Sequence, residues 1–386
     1  MQKRSKMKNI LIVVPTLKLG GSERAAVNTA QIMSKDFQVH FAVFDGKDAV
    51  YSPVCFVNDL KLPVKTSKIK KILQVLKRSI SVRKIKKREK IDYCISFGPT
   101  ANLVNVISGR KSKNIINLRG YAATAESPFA SFLYRRCDLI ICCSREIKRF
   151  VDITFPKYAS KSFVLYNPFD IESLRAQGAE AVDDFDFSRR TVVTHGRLNA
   201  IKNQYRLIKS FSIVHAEHPD VQLLIIGEGE MREKLQKLID DLGLRSYVNL
   251  IGFRSNPFKY LAKSTIFVLS SFSEGFPNAL VEGMTFLPAV SVDCPSGPCE
   301  ILRNNGNLEH TNAIEEAEYG ILVKPTTNTN CSCGISDDDK LLAQAICLLL
   351  DDENKLLDYR RKSMQRASDF SYESYKANLL HILENS

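Results

Sequence analysis

The chain of 386 residues is 44% hydrophobic and 25% charged, and its formal net charge is +13. Two domains are the natural expectation at that length, and the composition is that of an ordinary soluble globular protein. Its longest apolar runs, such as Ile10 to Val14 and Leu223 to Ile226, fall far short of the roughly 18 residues a membrane-spanning helix needs. The charge is unevenly divided. Residues 1–175 hold 33 Lys and Arg against 13 Asp and Glu, a balance of +20, which leaves 22 against 29, or −7, for the remainder. Two halves of opposite sign are expected to face different partners.

The opening stretch MQKRSKMKNILIVVP has a basic flank, but its apolar segment is too short for a signal peptide and ends at Pro15, so a cytosolic protein is expected. Short apolar strands then alternate with amphipathic stretches, the pattern of parallel α/β units. In the first half the predicted strands are 10–15, 39–44, 93–97, 114–118, 139–143 and 163–166. After the first of them comes LGGSER, Leu19 to Arg24, where two glycines allow close approach of a ligand and Ser22 is placed to cap the next helix. A phosphate site at that helix start and a plain tight turn both fit.

Between Lys61 and Lys90 stand thirteen Lys and Arg and one acidic residue, Glu89. Ile69, Ile72, Leu73, Leu76 and Ile80 share one helical face there, with lysines around them. Such a helix suits an anionic membrane surface, with Lys68, Lys70, Lys71, Lys77, Arg78, Lys84, Lys86 and Lys87 as its contacts. The alternative is a solvated basic helix that packs its Ile and Leu onto its own domain. Nucleic acid is not an expected partner, because no aromatic residue interleaves with the lysines to stack bases.

Asn167-Pro168-Phe169-Asp170 and the polar stretch through Arg190 read as a linker, so the domains are expected at 1–168 and 169–371. The final helix, 372–386, could pack back on the first. Strands predicted in the second half are 191–194, 221–227, 248–251, 266–270, 289–292 and 320–323. HGRLNAIKNQ, His195 to Gln204, follows the first of these, with Arg197 and Lys202 placed to reach one anion or to stand as solvated cations. GEGE, Gly227 to Glu230, and IGFRSNP, Ile251 to Pro257, are further strand-end turns. In a doubly wound domain such loops converge on one cleft.

SEGFPNALVEG, Ser273 to Gly283, holds two glutamates eight positions apart. Pro277 suits the first turn of a helix beginning near Asn278, which puts Glu282 just over one turn in and leaves Glu274 in the preceding loop. Two carboxylates at two levels could hold different hydroxyls of one long ligand. The ten cysteines read as thiols without a metal or disulfide role. Cys142 and Cys143 are small hydrophobes in a strand, and Cys294 and Cys299 are structural. Cys331 and Cys333 lie in a polar loop, too close together for a zinc pair.

Taken in order, GGSER, GRLxxxKN, GEGE, GFRSNPFKY, SSFSEGFPNALVEGM and CPSGPCEIL resemble family 4 of the retaining glycosyltransferases, the large bacterial group that includes capsule, lipopolysaccharide and undecaprenyl-linked glycan transferases. The resemblance runs over nearly the whole chain. It implies the GT-B architecture, two doubly wound Rossmann-like α/β domains facing each other across a cleft. It also implies transfer of a hexose or N-acetylhexosamine from a nucleotide diphosphate donor, UDP-linked, to a lipid-linked (polyprenyl diphosphate) glycan at the inner face of the cytoplasmic membrane.

Carried over by position, Arg197 and Lys202 would hold the diphosphate as leaving group, Glu282 the ribose hydroxyls, and Glu274 the donor sugar. By the same resemblance, the stretch Phe276, Pro277, Asn278 and Ala279 would help hold sugar and phosphate through its amides. Gly21 and Gly227 would allow close approach to the donor, and Arg254 would border the base. No cofactor and no metal is expected, so Asp183 to Asp186 is an acidic linker. Relatives with a histidine near the acceptor have no match here, since the first domain's only histidine is His40; Arg119, within NLRGYAATAES, is the acceptor-side candidate. His195 is expected to be structural. A dehydrogenase is disfavoured because no G-x-G-x-x-G follows a strand. A nucleotide-sugar epimerase of the same fold, or a non-catalytic basic membrane- or nucleic-acid-binding protein, are the alternatives.

Overall fold

A computed structural model describes residues 7–18, 20–63, 67–120, 130–326 and 334–385. The chain forms two compact units, Met1–Phe169 with Tyr372–Ser386, and Asp170–Ser371. In the first unit, the described residues form seven parallel strands: β1 Asn9–Val14, β2 Gln38–Val43, β3 Val57–Asp59, β4 Tyr93–Phe97, β5 Lys113–Leu118, β6 Leu139–Cys142 and β7 Ser162–Val164. They lie in the order β3-β2-β1-β4-β5-β6-β7. In the second unit the strands are β8 Arg190–His195, β9 Val221–Ile226, β10 Val248–Gly252, β11 Ile266–Leu269, β12 Ala289–Val292, β13 Ile314–Ala317 and β14 Gly320–Val323. Their order is β10-β9-β8-β11-β12-β14-β13, with β13 antiparallel to β14.

All twelve predicted strands form, with ends shifted by a residue or two. Two more, β3 and β13, were not predicted. Both are short strands at a sheet edge, and β13 (Ile314-Glu315-Glu316-Ala317) carries two glutamates where a buried strand would be apolar. The predicted linker also contains a helix, Ile171–Gly178, capped by the Asp170 carboxylate accepting from the Ser173 amide at 3.0 Å. Ser22 does not cap the first helix. That helix begins at Gly21, one residue earlier, with Gly20 as its N-cap and no side-chain capping bond.

Each sheet reverses its strand order at one place, between β1 and β4 in the first unit and between β8 and β11 in the second. The carboxyl ends of the strands at such a reversal are where doubly wound sheets bind ligands. Strand interiors on both faces are apolar because helices cover both sides. In the second unit Val192, Leu223, Ile225 and Val268 pack with Leu207, Phe211, Leu342 and Ile346 from the helices Gln204–Glu217 and Asp337–Leu350.

The helix Tyr372–Glu384 belongs to the first unit's core. Tyr375, Leu379, Ile382 and Leu383 pack with Ile10, Ile12, Phe41 and Ile95, and the Tyr375 hydroxyl is 2.8 Å from Thr29 Oγ1.

The basic segment folds as the helix Lys68–Arg88, and its faces are not divided as an ordinary amphipathic helix would be. Ile69, Ile72, Leu73, Leu76 and Ile80 are 47–72% exposed, so among the described residues they are not part of their own domain's core. The buried side carries Val82 and Ile85 with Gln74, Arg78, Ser79 and Lys86. Arg78 donates through Nε and Nη2 to the Leu62 carbonyl, at 3.0 and 2.5 Å, and its guanidinium lies 4.5 Å from the Phe44 ring centroid. Lys86 Nζ donates to Asn105 O and Oδ1 and to Asn114 Oδ1, and burial pushes its pKa down. Arg78 and Lys86 are therefore not surface cations, because each is committed to acceptors inside the unit. Lys70, Lys71, Lys77, Lys84 and Lys87 remain exposed, while the side chain of Lys68 lies outside what is described.

Leu379→Ala is expected to lower the first unit's stability by about 2–5 kcal/mol, the usual effect of truncating a buried leucine. Denaturant unfolding that shows no loss would mean that the last helix is peripheral to that core.

Candidate donor site

Strand β8 ends at His195, and the loop that follows is built by two asparagines. The Asn199 side chain accepts from the Lys202 amide at 3.1 Å, closing a short 3-10 turn over Ala200–Lys202. Asn203 then adopts a left-handed conformation (φ 48) and caps the next helix by accepting from the Arg206 amide. Asparagine tolerates both tasks better than most residues. The turn is stitched to the loop after β11, where Phe272 N donates to Ile201 O at 2.8 Å and Ser270 Oγ to Lys202 O at 3.0 Å.

These bonds bring Lys202 to Glu274. The ammonium lies 2.6 Å from Glu274 Oε1, which also accepts from Ser271 Oγ at 2.6 Å. The two side chains are 24% and 11% exposed. Glu274 is held along the backbone as well, its amide donating to Pro295 O and its carbonyl accepting from Ser296 N at 3.0 Å. Arg197, the other cation predicted in this loop, is exposed, and its carbonyl accepts from Gln204 Nε2.

The helix Asn278–Met284 begins where the sequence predicts. Gly283 lets it lie directly on β11, since a Cβ there would fall 2.2 Å from the Phe267 ring. That seating carries Glu282, 2% exposed, to the end of β8, where its Oε2 is 3.0 Å from His195 Nε2. The contact is close but lies outside hydrogen-bond alignment, so it is a polar contact across a short gap. Glu274 and Glu282 thus meet the loop after β8 and the end of β8 itself, through Lys202 and His195. Phe276 is buried edge-on against Phe370, with centroids 5.3 Å apart. A Cβ on Gly297 would meet Pro277 Cδ at 2.6 Å. The Phe276 and Pro277 side chains are therefore spent on packing. Asn278 stands half-buried at the helix start and Ala279 is buried.

The strand-end glycines answer to one another. Gly227 has φ +151, and a Cβ there would lie 1.8 Å from the Gly196 carbonyl; at Gly229 (φ +159) it would lie 2.1 Å from Leu198 O. Leu198 N donates to Glu228 O, Gly196 N to Ile226 O, and Gly227 N to Gly252 O. The loops after β8, β9 and β10 therefore sit backbone on backbone, and no side chain fits between them. Arg254, in the turn after β10, is 3.2 Å from Asp184 Oδ2 and donates to the Tyr260 hydroxyl at 3.1 Å. That hydroxyl donates in turn to Asp184, a bond that holds the Asp184 carboxyl below its usual range.

In the first unit, Gly21 is the first residue of its helix. Arg119 follows β5 with its guanidinium 5.8 Å from the Phe97 ring centroid. Residues 121–127 of the predicted acceptor-side stretch lie outside the described residues, as do Cys331 and Cys333. Cys142, Cys143, Cys294 and Cys299 are buried, and burial raises Cys294 well above the usual thiol range.

Among the described residues, Glu217, His218 and Cys347 bring ligand atoms within 4.8 Å of one another, before the start of β9 and away from the carboxyl ends. The Arg190 guanidinium is already 3.4 Å from His218 Nδ1, and burial pushes the Cys347 thiol up to about 12.

The sequence reading missed the His195–Glu282 contact, the Ser271 hydroxyl and the engagement of Arg254 by Asp184. Only the two asparagines of HGRLNAIKNQ, both good caps, offered a local signal for how Lys202 is held.

Comparison with known proteins decides the family. Residues 181–366 match the family described as glycosyl transferases group 1. The chain is also 30% identical over 334 residues to an uncharacterized glycosyltransferase of Methanocaldococcus jannaschii, covering 78% of this chain and 81% of that one. The chain belongs to the group 1 glycosyltransferases. This glycosyltransferase is 26% identical over 379 residues to a Campylobacter jejuni protein, spanning 94% and 96% of the two chains. That relative is named N-acetylgalactosamine-N,N'-diacetylbacillosaminyl-diphospho-undecaprenol 4-alpha-N-acetylgalactosaminyltransferase. Anabaena HepE, crystallised with UDP, superposes with a TM-score of 0.73 at 19% identity over 98% of this chain and 100% of that one, which establishes the GT-B fold. Family membership makes this chain an enzyme that transfers sugars, and it sets aside the epimerase and the non-catalytic binding protein.

Gly227→Ala is expected to destabilise the second unit by about 2–4 kcal/mol, through a strained φ and a backbone clash together. Unchanged thermal unfolding would show that the loops after β8 and β9 are not packed backbone to backbone.

Proposed function

We propose that this glycosyltransferase moves a hexose or N-acetylhexosamine from a UDP-linked donor to a lipid-linked glycan, with retention at the anomeric carbon, in surface polysaccharide synthesis. The observation that carries the reading is the pairing of Glu274 with Lys202 and of Glu282 with His195 at the carboxyl ends of β8 and β11, where the strand order reverses. The similarity to an enzyme named for an undecaprenol-linked glycan and to a fold crystallised with UDP supports the donor and acceptor classes.

Cleaving a glycosyl–diphosphate bond builds negative charge on the leaving phosphate and an oxocarbenium-like sugar. Lys202 is a partly buried cation held by a turn, so it can meet that charge without first being ordered. Arg197, exposed beside it in sequence, adds a second cation with bidentate geometry. Glu274 holds the Lys202 ammonium and offers its second oxygen to hydroxyls of the sugar, while Glu282 takes the ribose. The bond from the sugar to the acceptor oxygen forms on the face from which the phosphate departs, and that phosphate receives the acceptor's proton. With cations supplied by the chain, the reading calls for no metal ion.

The acceptor side falls to the first unit. No helix among the described residues is long and apolar enough to cross a membrane. The helix Lys68–Arg88 instead exposes five Ile and Leu side chains among Lys70, Lys71, Lys77, Lys84 and Lys87. Apolar side chains can enter the headgroup layer there while each lysine adds about 1 kcal/mol on an anionic leaflet. Such contact at the inner face of the cytoplasmic membrane would bring the enzyme to a lipid-linked acceptor.

In steady-state assays with UDP-sugars, Lys202→Ala is expected to lower kcat by about 10²–10³, and Glu282→Ala to raise donor KM with a smaller change in kcat. Kinetics unchanged by both substitutions would remove the site from the second unit. Replacing Lys70, Lys71, Lys77, Lys84 and Lys87 together by Gln is expected to abolish sedimentation with vesicles containing phosphatidylglycerol. Undiminished binding would mean that this helix is not the anchor.

A further inference from the structure

We infer that His195 is a positioning residue for the donor: it fixes the Glu282 carboxylate at the end of β8 in the orientation that receives the ribose. The inference rests on the assignment of Glu282 to the ribose hydroxyls and extends it to a residue that sequence motifs leave structural. A carboxylate only 2% exposed, on a helix seated against Phe267, is stabilised by any polar partner it can find, because an uncompensated buried charge is strongly unfavourable. His195 is one such partner, with Nε2 3.0 Å from Oε2. The same Nε2 is buried and has no hydrogen-bonding partner of its own among the described residues, so Glu282 is the polar group it faces.

The imidazole is itself held. Phe267 stands 5.8 Å away at 62° and Phe258 6.5 Å away at 80°, both in edge contact. Edge-on rings restrict rotation of the imidazole without competing for its nitrogen. His195 is the last residue of β8, paired in register with Ile226 of β9, so its backbone is fixed by the sheet. Directly after it, Gly196 (φ +147) opens the loop that carries Lys202. One strand end therefore sets both carboxylates, Glu282 directly and Glu274 through the turn that presents Lys202.

The test compares His195→Gln, His195→Phe and His195→Asn by calorimetric titration with UDP and with 2′,3′-dideoxy-UDP, alongside Glu282→Ala. Glutamine keeps an N–H donor near the position of Nε2. Phenylalanine keeps the ring without the donor, and asparagine keeps polarity without the reach. Phe and Asn are expected to weaken UDP binding about tenfold, the scale of depriving a buried polar group of its polar neighbour, with Gln within about threefold of the native enzyme. The differences among these variants should vanish with dideoxy-UDP, which lacks the hydroxyls; a merely structural defect would persist. If Phe fails to fold, the Asn and Gln pair decides alone. UDP binding that Glu282→Ala weakens but neither Phe nor Asn affects overturns the inference and leaves the donor site standing. UDP binding that Glu282→Ala leaves intact overturns the ribose assignment, and the inference with it.

Discussion

The ion pair between Lys202 and Glu274 joins two loops that the sheet alone would leave independent. Lys202 sits in the loop after β8 and Glu274 in the loop after β11, and the contact of 2.6 Å fixes one against the other. Much of the second unit's local sequence serves that contact. Asn199 and Asn203 shape the turn that delivers the ammonium, Ser271 gives the carboxylate a second donor, and the amide and carbonyl of Glu274 are both tied to the 295–296 segment. Glycines at 196, 227 and 229 let neighbouring loops close beneath it. A cation placed this way is pre-organised, and pre-organisation is what makes an electrostatic group effective against charge that appears only in a transition state.

The first unit solves a different problem, with an inverted helix. Its Lys68–Arg88 helix buries two cations and exposes five aliphatic side chains. Arg78 donates twice to the Leu62 carbonyl and Lys86 donates to three oxygens of Asn105 and Asn114, so burial is tolerated. Among the described residues the aliphatic face stays largely exposed, beside lysines that are exposed as well. On the reading proposed above, those two properties suit contact with an anionic lipid surface.

Most of the sheets were legible in the sequence, because a parallel strand covered on both faces must be a short apolar run, and such runs announce themselves. The edge strands β3 and β13 were not, since an edge needs less apolar character and β13 carries two glutamates. The Glu274–Glu282 spacing and the proline before the helix put Glu274 in the loop and Glu282 within the helix, as the backbone has them. The residues they touch could not be read in the same way. His195 and Glu282 are distant in sequence and meet only because Gly283 admits Phe267. Nothing in a run of lysines shows that Lys86 turns inward to Asn105 and Asn114, and Asp184, in an apparently idle acidic stretch, engages Arg254 through the fold.

On the proposed reading, the second unit holds a nucleoside diphosphate donor with the chain's own cations. Thermal unfolding of the native enzyme with UDP and a panel of other nucleotides, without added metal, tests that claim directly. UDP at one hundred times its dissociation constant is expected to add about 2.7 kcal/mol of stability, with a larger shift from one UDP-sugar than from the rest. A transition that no nucleotide moves would contradict the account and leave Glu274 and Glu282 as structural carboxylates.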